Sequence, residues 1–87
     1  MATEPRDTTT EPGVAVEVDA RGLSCPMPVI ELARAIEQVG VGEVVRVLAT
    51  DPAAAVDVPV WCRMQRHRLL ARHEQDGVWR FDVERAR

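Results

Sequence analysis

The chain has 87 residues, 46% of them hydrophobic and 29% charged, with a formal net charge of −3 at pH 7. That length leaves room for one domain and one thin core, which excludes a self-contained enzyme with a deep cofactor cleft. The acidic balance argues against a general nucleic-acid binder, and two cysteines are too few for a cystine-stapled secreted scaffold.

Residues 1–13 are rich in Thr, Pro and acid and hold almost nothing that can pack. They read as a flexible tail preceding a single domain over 14–87. The tail has no apolar core of the kind a signal peptide needs, and no stretch approaches the roughly 18 apolar residues of a membrane helix. Membrane insertion is therefore not expected, and the cytoplasm is the default location.

Periodicity begins at Val14, where Val14, Val16 and Val18 alternate with Ala15 and Glu17 in the period of a half-buried strand. After a loop and Cys25-Pro26-Met27-Pro28, Val29, Leu32, Ala33 and Ile36 recur at helical spacing, extended by Val39. Gly40 and Gly42 stop that helix. Glu43 to Thr50 is short and β-branched, so it reads as a second strand, broken by Asp51-Pro52. A second helix is expected from about Ala54 to Arg66, with Val56, Val60 and Met64 as its apolar stripe. Pro59 fits there best if Asp57 caps a first turn that includes the proline. Leu69 to His73 is a third strand, Asp76-Gly77 a hairpin turn, and Trp79, Phe81 and Val83 mark a fourth strand. The order βαβαββ predicts an α+β two-layer sandwich, with two helices on one face of a four-stranded mixed sheet.

Cys25 is the candidate for chemistry because it lies where a strand-following loop hands over to a helix. With Cys25 at the N-cap, Pro26 takes the first helical position and Pro28 the third, leaving Met27 as the main N–H near the sulfur. The positive helix end stabilises a thiolate, so a lowered thiol pKa is expected, and the prolines stiffen the rim. Arg21 is close enough in sequence to add positive potential. The bland alternative is an inert cysteine that happens to start a helix.

Cys62, beside Trp61 in the second helical pattern, reads as core. The run Cys62-x4-His67-x5-His73 lacks paired-ligand spacing, so no metal is expected, and no cofactor is called for. His67 reads as a turn or capping residue. Arg63, Arg66, Arg68 and Arg72 form a basic cluster around it that reads as a solvated face, or as a docking patch for an acidic partner.

The run Asp19-Ala-Arg-Gly-Leu-Ser-Cys-Pro-Met-Pro28 resembles the signature of the TusA-like (SirA/YedF) family of small sulfur carriers, a Gly-Leu-x-Cys-Pro-x-Pro run opening the first helix. Asp51-Pro52, Asp57-Val58-Pro59, Trp61-Cys62 and His67 resemble further family features, so the likeness runs from about Val14 to Glu84. It implies the same βαβαββ sandwich and a sulfurtransferase in the carrier sense, with sulfane sulfur held as a persulfide on Cys25. Pro26 and Pro28 would orient the cysteine, and Arg21, Gly22 and Met27 would shape its rim. The implied partners are a sulfur donor of cysteine desulfurase or rhodanese type and an acceptor protein. Family acceptors lie in tRNA thiolation, molybdenum cofactor synthesis and sulfur oxidation, and some relatives are linked to thiosulfate uptake or selenium metabolism. One relay member has Glu between the two prolines, where this chain has Met27. Besides an accessory protein of thiosulfate uptake or selenium metabolism, which differs in partner rather than chemistry, two other readings stand beside the carrier. One is a binding or regulatory module using the same surface. The other is an RNA-binding domain, since the topology also resembles the C-terminal domain of a translation initiation factor; the acidic balance opposes it.

Overall fold

The computed structural model describes residues 13–87. Apart from Gly13, the tail expected over 1–13 lies outside the described residues. The elements are β1 (Val14–Ala20), α1 (Met27–Ile36), β2 (Val44–Ala49), α2 (Ala54–Gln65), β3 (Arg68–Gln75) and β4 (Val78–Glu84). They form one four-stranded sheet in the order β1-β2-β4-β3. β1 and β2 are parallel, while β4 is antiparallel to both β2 and β3. The α+β sandwich expected from the periodicity is the fold observed.

Alternation along the strands decides which side is packed. Val45 and Val47 from β2 and Phe81 and Val83 from β4 are fully buried, against Leu32 from α1 and Val58 from α2. Residues in between point to the open face of the sheet. There Arg46 and Asp82 stand opposite each other in the register and form a two-pronged ion pair of 2.8 and 3.0 Å. Their side chains are only 12% and 13% exposed, so the pair is much less screened than a surface bridge. Asp82→Ala should therefore cost about 1–3 kcal/mol, since it removes the two-pronged carboxylate from a largely buried guanidinium. Urea denaturation of Asp82→Ala, Arg46→Met and the double variant checks this. Strict additivity would mean that the two groups do not couple.

The second helix departs from expectation in two ways. The helix begins at Ala54, as expected, but Pro59 lies inside it rather than in a first turn capped by Asp57. The reason is local. Asp51 accepts the Ala53 N–H at 3.0 Å, and the Ala54 and Ala55 N–H groups turn back onto the carbonyls of Asp51 and Pro52. Pro59 removes the bond that would reach the Ala55 carbonyl. Arg72 Nη1 from β3 donates to that oxygen instead, at 3.4 Å.

The second departure concerns the apolar stripe. Val56, Val60 and Met64 are exposed, and the buried series is Ala54, Val58 and Cys62. Both series have the same spacing and lie about 160° apart around the helix. The one with smaller side chains faces inward because it lets α2 sit close to the sheet. Cys62 is thus core, as the sequence suggested. At the helix end Arg66 is left-handed (φ 64) and the His67 N–H closes on the Cys62 carbonyl at 2.9 Å. His67 Nδ1 accepts the Ala86 N–H at 3.1 Å, which gives it the turn role expected. Burial, followed by the positive charge of Arg87 and Arg85, holds its pKa below the ordinary value.

Candidate functional site around Cys25

The parallel strands β1 and β2 end side by side, with Ala20 paired to Ala49. Their outgoing loops therefore meet, and two hydrogen bonds join them. Gly22 N–H donates to Thr50 Oγ1 at 2.8 Å and Cys25 N–H to Asp51 Oδ2 at 3.0 Å, while within the first loop Leu23 N–H turns back to the Ala20 carbonyl at 3.2 Å. Asp51 uses its other oxygen on Ala53, so one carboxylate fastens the cysteine loop to the start of α2. Those two backbone donors hold its pKa below the usual carboxylate value. Gly22 has φ +82, a conformation that L side chains rarely adopt, which accounts for glycine where the chain turns toward Thr50.

Cys25 lies one residue before the helix cap rather than at it. The N-cap is Pro26, Met27 is the first helical residue and Pro28 the second, with Ile30 N–H closing the first turn on the Pro26 carbonyl at 3.0 Å. The Cys25–Pro26 peptide bond is cis. The Met27 N–H does not serve the sulfur, because it donates to the Ser24 carbonyl at 2.8 Å. Pro28 is buried and anchors the helix start, while the Met27 side chain is exposed. Arg21 turns away to Asp19 in a two-pronged pair of 2.8 and 2.9 Å, which lowers the Asp19 carboxyl to about 2. Its charge is therefore committed to Asp19.

The electrostatics at the sulfur reverse the sequence expectation. Cys25 is half-buried and packs against the core. Burial pushes its thiol up to about 11, helped by a hydrogen bond to the Asp57 carboxylate and by the negative charge of Asp57 and Asp51. Burial and the two carboxylates together outweigh the helix-end field. The residues to which the sequence reading gave no part at the cysteine loop are thus Asp57 and Asp51, with Thr50. For Thr50 and Asp51 the available signal was their position just after a parallel strand, since functional groups gather at the carboxyl ends of such strands, while Asp57 follows in the first turn of α2.

Around the cysteine, Leu23, Met27 and Ile30 are exposed apolar side chains. Among the described residues no group of three or more His, Cys, Asp or Glu is placed to hold a metal ion. No helix among them is long and apolar enough to cross a membrane.

A small α+β sandwich with one thiol-bearing loop at its rim defines the class. The sequence profile of the sulfurtransferase TusA family matches residues 16–85, and the chain belongs to that family. It is 41% identical over 70 residues to an Archaeoglobus fulgidus protein, covering 80% of this chain and 96% of the relative. It is similar to the sulfur carrier protein TusA of Pseudomonas entomophila, with 35% identity over 68 residues, 78% of this chain and 85% of the relative. Among solved structures, the SirA-like protein of Desulfitobacterium hafniense superposes with a TM-score of 0.73 at 26% identity, over 83% of this chain and 99% of that one.

Proposed function

We propose that this protein carries sulfane sulfur as a persulfide on Cys25 and relays it from a donor protein to an acceptor protein. The observation that carries the reading is the contrast between its two cysteines: Cys62 is 2% exposed inside the core, and Cys25 sits at the rim on a braced loop. Family membership supports sulfur transfer in general. In the loading step the Cys25 sulfur attacks the terminal sulfur of a donor persulfide, R–S–SH. A new S–S bond forms at Cys25 and the donor's S–S bond breaks. The donor leaves as R–S⁻ and takes up the proton that Cys25 gives up, so Cys25–SH and R–S–SH become Cys25–S–SH and R–SH. Donors of the cysteine desulfurase or rhodanese type fit this chemistry, as does a reducing cytoplasmic setting. Residues 14–87 act as one carrier domain in this reading, with Pro26, Pro28 and Gly22 fixing the loop and Met27 forming part of the rim. Arg21 shapes the rim only through its pairing with Asp19.

Incubation with a cysteine desulfurase and cysteine, followed by intact-mass spectrometry, tests the assignment. The wild type and Cys62→Ala should gain one sulfur atom, and Cys25→Ser none. Sulfur uptake by Cys25→Ser would end this reading.

A further inference from the structure

We propose that the open face of the sheet holds a binding site for a small tetrahedral oxyanion, centred on Arg80 and flanked by His73 and Gln75. Register places the parts. Leu48, Arg80 and His73 lie opposite one another on β2, β4 and β3, and Gln75 pairs with Val78 one step further on. Arg80 alternates with the buried Phe81, so this row stands on the face away from the helices. A recess of about 290 Å³ opens there, lined by Leu48, His73, Gln75, Asp76, Val78 and Arg80.

Arg80 is the independent observation that points to a ligand. Its neighbour in the open face, Arg46, is tied to Asp82, but the Arg80 side chain has no hydrogen bond or ion pair among the described residues. Its Nε is buried without a partner, and among the described residues it alone of the buried side-chain nitrogens and oxygens is in that condition. A buried donor on a charged group is costly to leave unpaired, so the guanidinium gains from a partner in the recess that Arg80 lines. A guanidinium offers a planar fork of donors that matches two oxygens of an oxyanion. The imidazole of His73 and the amide of Gln75 can supply donors to the remaining oxygens. Asp76 opposes binding. It sits in the exposed hairpin turn with φ 53, and no ion pair joins it to Arg80. Its negative charge favours a small ligand over a polyanion and supplies a variant with the opposite sign.

Sulfate and phosphate share this chemistry, and the test separates them. The isotopically labelled full chain is titrated with sodium sulfate, sodium phosphate or sodium chloride at matched ionic strength, and the Arg80 Nε–H and His73 ring resonances are followed by NMR. Saturable shifts at Arg80, His73 and Gln75 with either oxyanion, absent with chloride, are expected. Arg80→Gln should weaken binding by about tenfold or more, the loss of a charged hydrogen bond, and Asp76→Asn should tighten it. Should Arg80→Gln fold poorly, His73→Ala and Asp76→Asn still move affinity in opposite directions. Linear drift, equal shifts with chloride, or saturation only at molar salt would mark an adventitious ion only and overturn the site.

Discussion

Asp57→Asn should make Cys25 a more acidic and faster thiol. In the wild type, burial comes first in raising the thiol to about 11, and the Asp57 carboxylate adds both a hydrogen bond and a negative charge. Asparagine removes the charge but leaves the burial. The thiol pKa should therefore fall part of the way from about 11 toward the ordinary 9.0. The sign follows from the anion: a thiolate facing a carboxylate is disfavoured, and a thiolate facing a neutral amide is less so. Each unit of fall gives about tenfold more thiolate at pH 7.5, and the thiolate is the nucleophile. Alkylation by iodoacetamide, measured against pH on a Cys62→Ala background, reads this directly. A variant whose pH profile coincides with that of the wild type would show that Asp57 does not act on the sulfur. In the proposed relay, an unloaded Cys25 whose thiol is pushed up to about 11 reacts once a partner removes its proton.

Phe81→Ala should bring the fold close to unfolding. Phe81 heads the fully buried side chains by volume, at 0% exposure, and its ring stacks on Trp79 at 6.2 Å with 8° between the planes. It pairs with Val47 on one side and Arg72 on the other, at the centre of the sheet. Removing a buried phenyl ring costs about 3–5 kcal/mol, because neighbours refill the cavity only in part. Domains of ordinary size have about 5–15 kcal/mol in total, and a small one sits near the low end. Urea unfolding of Phe81→Ala beside Val41→Ala provides the contrast, since Val41 is 66% exposed and its variant should stay within about 0.5 kcal/mol of wild type. A loss below about 1 kcal/mol for Phe81→Ala would place the core elsewhere.

Much of this fold was legible in the chain because its signals are local. The alternation of Val14, Val16 and Val18 and of Trp79, Phe81 and Val83, with the Asp76-Gly77 turn, located strands at both ends of the chain. The place of Cys25 beside a helix start was legible for the same reason, since loop, prolines and helical stripe are contiguous there. What failed was anything decided at a distance. The carboxylate bound to the Cys25 N–H is 26 residues away, and Asp57 comes from another helix. Local reasoning saw a helix end and gave the thiol pKa the wrong sign. The same limit applied to α2, where two stripes of equal spacing compete and only the sheet beneath selects between them. Pro59 was misplaced because its lost bond is compensated by Arg72 from a different strand.

Both outer strands carry an irregularity. The register of β1 slips between Val14 and Val16, and that of β3 between Leu69 and Ala71. Such bulges twist an edge away from flat pairing, and on β3 they are joined by the charged Arg68, Arg72 and Glu74. Open sheet edges invite further strands and, with them, aggregation. With both edges spoiled, neither is a ready template for another chain's strand. In the proposed relay, a partner that reaches Cys25 at the rim can then be let go, because no ladder of main-chain bonds holds the pair together.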